Sequence, residues 1–207
     1  MIGWKQRPWL CLDTETTGIT EAHIVQLGAC EYRRGAVSWK HSRLFKPPIP
    51  IPPEASEVHG ITDLLVVGAP DIQSAREKIL STVSKYSVIV GYNLQYDLDV
   101  LQRELGVPVT SMCDAHICVD PLIVIRMDHV GRYWKGQGRH RLAHVCETLG
   151  IPLNAHSAVD DAVAAGAILW RLINHLPDDD RECYEFLREQ KKRQDDNYAA
   201  WKARQVP

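Results

Sequence analysis

The stretch that decides the fold is Trp9-Leu10-Cys11-Leu12-Asp13-Thr14-Glu15-Thr16-Thr17-Gly18-Ile19. Four apolar residues in succession suit a strand buried on both faces. The run then stops in two carboxylates. Asp13 and Glu15 are two positions apart, so an extended backbone points both toward one face, where they repel each other unless a cation sits between them. Oxygen-only ligands favour Mg²⁺ or Mn²⁺. An isolated Asp-x-Glu is more often a solvated polar turn, so the rest of the chain has to supply partners.

At 207 residues and 45% hydrophobic content, the chain can build one well-cored domain plus an appendage. A net charge of −2 argues against indiscriminate binding to nucleic acid through charge alone, but leaves room for a site in which metal ions do the neutralising. Cysteines at 11, 30, 113, 118, 146 and 183 form neither a CxxC pair nor a dense disulfide pattern, and are expected to be reduced and mostly buried. Few apolar residues precede Asp13, and no later segment approaches the length of a membrane span. The expectation is a soluble cytoplasmic protein.

Past the opening strand, Val25, Leu27 and Ala29 alternate with Gln26, Gly28 and Cys30, which predicts a second strand over 23–33; Ala36 to Phe45 reads as a third, so a β-meander opens the fold. The proline-rich 46–53 stretch makes an ordered connector. Glu54 to His59 can form one helical turn closed by Gly60, and 69–86 reads as an amphipathic helix with Ile72, Ala75, Ile79 and Val83 on one face. Ser87 to Tyr92 is a further buried strand. It runs into Asn93-Leu94-Gln95-Tyr96-Asp97, where Leu94, Leu98, Leu101 and Leu105 set a helical period, placing Asp97 on the opening turn of a helix that begins where a strand ends. Taken alone, Asp97 also suits an ordinary partner of the helix dipole.

Ala115 to Val119 makes a short strand and Leu122 to Met127 a helix. Arg126, Arg132, Lys135, Arg139 and Arg141, interleaved with Tyr133 and Trp134, suit either phosphate and base contacts or a solvated loop. Leu142 to Gly150 is another helix. His156-Ser157-Ala158-Val159-Asp160-Asp161 then leads into an apolar helix for which Ser157 is an N-cap candidate. His156 precedes the helix, where a lone histidine is usually a surface residue; from a mobile loop it could also reach a water bound at the Asp161 end.

Together, Asp13-x-Glu15 with Thr16-Thr17-Gly18, Asn93-x-x-x-Asp97 and His156-x-Ala158-x-x-Asp161, in this order, resemble the three motifs of the DEDDh family of 3′→5′ exonucleases. Val58-His59-Gly60-Ile61-Thr62 matches a lesser signature of that family. Each motif is weak alone and three in register are specific. The resemblance spans roughly residues 8–176. The sister group with tyrosine four residues before the last acid is disfavoured, because that position is Ser157. The resemblance implies an α/β fold: a ribonuclease H-like mixed sheet of about five strands, three antiparallel and then two parallel, flanked by helices.

It also implies Asp13, Glu15, Asp97 and Asp161 as ligands of two divalent ions, Mg²⁺ or Mn²⁺, with Asp13 bridging and His156 as general base. Thr16 and Thr17 would hold the terminal nucleotide, Ile19 would wedge against its base, and His59 and Asn93 would line its pocket. The implied partners are the 3′ end of single-stranded nucleic acid, DNA ahead of RNA, and a DNA polymerase. Two readings compete: a catalytically silent polymerase-docking module, and a nuclease that cuts internally. The sequence divides into an exonuclease domain at 1–176 and a charged helical extension at 177–207.

Overall fold

A computed structural model describes residues 2–107, 117–134, 136 and 138–204. Cys113, Ala115 and Lys135, which the sequence analysis names, lie outside them, as does the side chain of Tyr133. Five strands, β1 (Trp9–Thr16), β2 (Ile24–Arg33), β3 (Ala36–Leu44), β4 (Val88–Val90) and β5 (Ile117–Val119), form one sheet in the order β3-β2-β1-β4-β5. The first three are antiparallel neighbours, and β4 and β5 run parallel to β1. This is the expected mixed ribonuclease H-like sheet.

The helices are α1 (Pro53–His59), α2 (Asp63–Val66), α3 (Arg76–Val83), α4 (Leu94–Leu105), α5 (Pro121–Ile125), α6 (Leu142–Leu149), α7 (Ala158–Leu172) and α8 (Asp180–Ala203). β1 is the central strand, and its alternation splits the core. Trp9 and Cys11 join the cluster under α5, α6 and α7, whereas Leu10 and Leu12 join the one under α3 and α4. No helix among the described residues is long and apolar enough to cross a membrane.

Small residues set how closely α7 approaches the sheet. A Cβ on Gly28 of β2 would lie 2.2 Å from the carbonyl carbon of Ala158 and from the backbone nitrogen of Val159, so only glycine admits the start of α7 at this distance. A Cβ on Gly166 would lie 2.8 Å from Cys11 Sγ and from Tyr32 Cδ2, so this position is also tightly packed. Gly28, Cys30 and Tyr32 therefore form the buried face of β2, while Leu27 and Ala29 on the other pleat face are only half-buried. The apolar alternation of Val25, Leu27 and Ala29 suggests the reverse. Helix packing overrides it, because the smaller side chains allow the closer contact.

Three other expectations change. The single helix over 69–86 is a 3₁₀ turn at Ile72–Ala75 followed by α3, since Asp71 takes the cap by accepting from the backbone nitrogen of Ser74, while the Pro70 carbonyl accepts from Lys46. Trp134, read as a base-stacking or solvated residue, is only 3% exposed and belongs to the core on the α7 side. Ser157 sits at the N-cap of α7 without capping through its hydroxyl; the first helical amide, on Ala158, donates to Gln26 Oε1 of β2 at 3.0 Å.

The C-terminal segment is sewn to the N-terminal one. Trp4 donates from its backbone nitrogen to Asp180 and from its indole to the Pro177 carbonyl, and Lys5 and Arg7 pair with Asp178 and Asp180. Asp179 caps α8, and Cys183 and Leu187 bury its first half. Beyond Gln194, whose side chain donates to the Ile123 carbonyl, residues 195–204 are exposed, with Tyr198 and Trp201 stacked on each other.

Candidate active site

β1 ends beside the starts of α4 and α7. Alternation along the strand sends Asp13 and Glu15 toward α7 and sends Thr14 and Thr16 toward α4. Thr14 meets Asp97: the threonine backbone nitrogen and hydroxyl both donate to Asp97 Oδ1, at 2.9 and 2.6 Å. Thr16 meets the neighbour of Asp97, its hydroxyl lying 2.8 Å from Tyr96 Oη.

Asp97 gets there through an unusual helix start. Asn93 takes a left-handed conformation (φ 63°), tolerated by asparagine, and its backbone nitrogen donates to Asp120 Oδ1 at 3.1 Å. The same Asp120 oxygen caps α5 by accepting from Leu122 at 2.8 Å. One buried carboxylate at the end of β5 thus fixes two helix starts. Burial pushes it up to about 6, while its backbone donors pull the other way.

Asp161 lies on the first turn of α7 and is buried. Its Oδ2 accepts from the backbone nitrogen of His156 at 3.3 Å, and its buried Oδ1 has no protein donor. His156 is held left-handed (φ 66°) on an exposed loop. The adjacent Asp160 faces away, paired with Lys40 at 3.2 Å and accepting from Asn154.

The acids are close enough to disturb one another. Burial, then the charges of Asp161 and Asp97, push Glu15 up to about 7. Burial raises Asp97 to about 7, against the Thr14 hydrogen bonds, and Asp161 to about 6. Asp13 is raised well above the usual carboxylate range by burial, then by Asp97, Asp161 and Glu15. Among the described residues, donor atoms of Glu15, His156 and Asp161 lie within 4.8 Å of one another. The tightest group therefore contains His156, with Asp13 and Asp97 beside it. Mutually repelling carboxylates, a buried oxygen without a donor and a compact oxygen-rich set fit a divalent-metal centre.

The residues expected to hold a nucleotide surround this centre. The Thr16 hydroxyl also contacts the Gly18 carbonyl at 2.7 Å, and the Thr17 hydroxyl accepts from the backbone nitrogen of His23 at 2.9 Å, so both are engaged inside the loop. Tyr96 Oη donates to the Gly18 carbonyl at 2.6 Å, tying the loop to α4. His59 Nδ1 accepts from Ile61, which leaves the proton on Nε2 to donate to the Thr16 carbonyl at 3.2 Å. Burial first, and then His156, lower the His59 pKa. Ile19 is 88% exposed at the loop tip, and the Asn93 side chain is exposed at the α4 start. Sequence reasoning missed Thr14, Tyr96 and Asp120. Alternation could have found Thr14, since it must point away from Asp13 and Glu15, and Asp120-Pro121 carries the signature of a helix N-cap; the reach of Asp120 to Asn93 and the role of Tyr96 carry no local signal.

Comparison with known proteins places this geometry. The exonuclease family model named for RNase T matches residues 10–169. The chain is 30% identical over 183 residues to DNA polymerase III subunit epsilon of Treponema pallidum, covering 83% of this chain and 79% of that protein. It is 27% identical to the PolC-type DNA polymerase III of Halalkalibacterium halodurans, of which it spans only 12%. Two solved structures share the fold. Exonuclease X in complex with 5′-overhanging duplex DNA superposes with a TM-score of 0.65 at 21% identity, covering 86% of this chain and 99% of that one. The zinc-bound E. coli Exonuclease I complex with single-stranded DNA gives 0.71 at 23%, covering 82% and 41%. The chain belongs to the RNase T exonuclease family, and is a 3′→5′ exonuclease.

Proposed function

We propose that this chain is a DEDDh-type enzyme that removes nucleotides one at a time from the 3′ end of single-stranded DNA. The observation that carries this reading is the convergence of Asp13, Glu15, Asp97 and Asp161, from β1, α4 and α7, beside a loop histidine five residues before Asp161. Asp13, Glu15, Asp97 and Asp161 would hold two divalent ions, Mg²⁺ or Mn²⁺, with Asp13 between them. Bound there, the ions would neutralise the carboxylates and stabilise the entering and leaving oxygens of an in-line displacement at phosphorus.

The chain supplies the rest. His156 accepts the proton of the attacking water as the P–O3′ bond breaks, the freed 3′-oxygen takes a proton from solvent water to become a hydroxyl, and the exposed loop lets the imidazolium return its proton to solvent. Asp161 aims that loop through the His156 backbone nitrogen. Thr14 holds Asp97, and Tyr96 and His59 hold the Thr16–Ile19 loop, so its backbone can grip the terminal nucleotide. Ile19 packs on the terminal base, and Asn93 closes the other side. Apolar and phosphate contacts of this kind tolerate any base, so sequence preference is weak.

The kinship with DNA polymerase III subunits supports DNA as substrate, a replicative polymerase as partner and the cytoplasm as the place of work. The family match ending at 169 supports an exonuclease domain at 1–176, with 177–207 as a helical extension. The test is to incubate 5′- and 3′-labelled DNA and RNA oligonucleotides with Mg²⁺ or Mn²⁺. A 5′-labelled DNA ladder shortening stepwise is expected. Preferential RNA cleavage would assign an exoribonuclease, internal cuts an endonuclease, and no cleavage a docking module.

A further inference from the structure

The sheet face turned away from α7 carries a cavity of about 420 Å³ that the exonuclease reaction does not use. Leu12, Leu27 and Ala29 form its floor, and Ile79 and Val83 of α3 form a wall. Strand register explains its composition. Leu12 lies opposite Ala29 and Ala29 opposite His41, while Leu27 lies opposite Arg43, so the apolar pleat face ends in two basic side chains on the outermost strand. Lys78 of α3 and Lys85 just beyond it face them from the wall side.

Among the described residues no acid lines the cavity, although acids outnumber lysine and arginine by 26 to 24 in the chain. Arg43, Lys78 and Lys85 are exposed and have no ion-pair partner among the described residues. Glu31, the acid on this pleat face, accepts from Tyr86 Oη at 2.8 Å, and that oxygen accepts in turn from Trp39 Nε1 at 3.1 Å. Against the single carboxylate of Glu31 stand three cations, Arg43, Lys78 and Lys85, of which Arg43 also lies over the Phe45 ring at 5.7 Å. A concave apolar space of this volume, with a few cations at its rim, has the dimensions and chemistry of a small-ligand site.

We propose that the cavity binds an aliphatic carboxylate of the fatty-acid class. The chain lies along Leu12, Leu27 and Ala29, and the carboxylate sits at the rim with Arg43 and Lys78. The site faces away from Asp13 and Glu15, so occupancy needs no change in the metal centre.

The test is calorimetric titration of the full chain with monomeric dodecanoate, and with dodecyltrimethylammonium as its cationic counterpart. Dodecanoate should saturate one site, more weakly as salt rises. The exposed double variant Arg43→Ala/Lys78→Ala should weaken it about tenfold, and Ala29→Phe, filling the floor, should abolish it in protein that still melts cooperatively. Absence of saturable binding would overturn the proposal, as would equal affinity for the cationic amphiphile or an unaffected double variant. Saturation by a synthetic Leu/Glu amphipathic helix but not by dodecanoate would also overturn it, assigning the groove to a protein partner.

Discussion

Glu15→Gln should make the metal-free protein more stable at high pH while removing its activity. Glu15 is raised from 4.5 to about 7 in the folded chain. At about 1.4 kcal/mol per pKa unit, this corresponds to about 3 kcal/mol against folding once the group is ionised. Glu15 is partly exposed and titrates among other acids, so screening and proton sharing reduce the realisable gain to about 1–2 kcal/mol. The sign follows from proton counts. Between 4.5 and about 7 the folded state holds a proton that the unfolded state has lost, so stability falls as pH rises through this window and the loss is complete above it. Glutamine removes that loss. The assay is thermal melting in chelator at pH 5 and pH 8. At roughly 2–4 °C per kcal/mol for a chain of this size, the variant should melt about 2–8 °C above the parent at pH 8 and only slightly above it at pH 5. Mn²⁺ should raise the parent's melting temperature and raise the variant's less. A variant no more stable than the parent at pH 8, or stabilised equally at both pH values, would refute the view that the carboxylates repel one another in the folded protein.

Other perturbations separate neighbours that composition cannot. Asp161→Asn should abolish single-turnover cleavage and Asp160→Asn should leave it nearly intact, because Asp160 faces Lys40; equal losses would put both acids in the centre. His156→Ala should slow single-turnover cleavage about 10²- to 10⁴-fold. A His156→Ala variant cleaving at close to the parental single-turnover rate would exclude His156 as the base. Gly28→Ala should cost about 1–3 kcal/mol of stability by chemical denaturation and lower kcat, since the new methyl displaces the start of α7 that carries Asp161.

Much of this architecture can be read from single residues whose physics is local. The apolar run that stops at Asp13 is the central strand, because a strand flanked by partners on both edges and helices on both faces has no polar side. Gly60, Gly106 and Gly150 end α1, α4 and α6 in the left-handed conformation that glycine adopts most easily. Asp13, Glu15, Asp97 and Asp161 converge through strand alternation and helix starts, both of which spacing encodes. Trp134 and the short α3 are less legible. Trp134 sits in a charged stretch, yet its burial is decided by distant chain; α3 starts late because Asp71 offers a cap that periodicity ignores. Asp120 is legible only in part, since one backbone partner, Leu122, is two residues on, whereas the other, Asn93, lies 27 residues back along the chain.

The face of β2 shows why hydrophobicity alone misleads at such a site. Leu27 and Ala29 are more apolar than the glycine between them, yet Gly28 meets α7. A helix carrying Ala158, Ala162, Ala165 and Gly166 along its inner side can approach a sheet more closely than one carrying leucines, and Gly28 opposite Asp13 lets its first turn come closest where the carboxylates stand. That approach brings Asp161 within reach of Glu15 and leaves its Oδ1 buried without a donor. A bulkier interface would bury more apolar area and separate the acids. The small residues under α7 trade some of that area for the short distances that metal coordination requires.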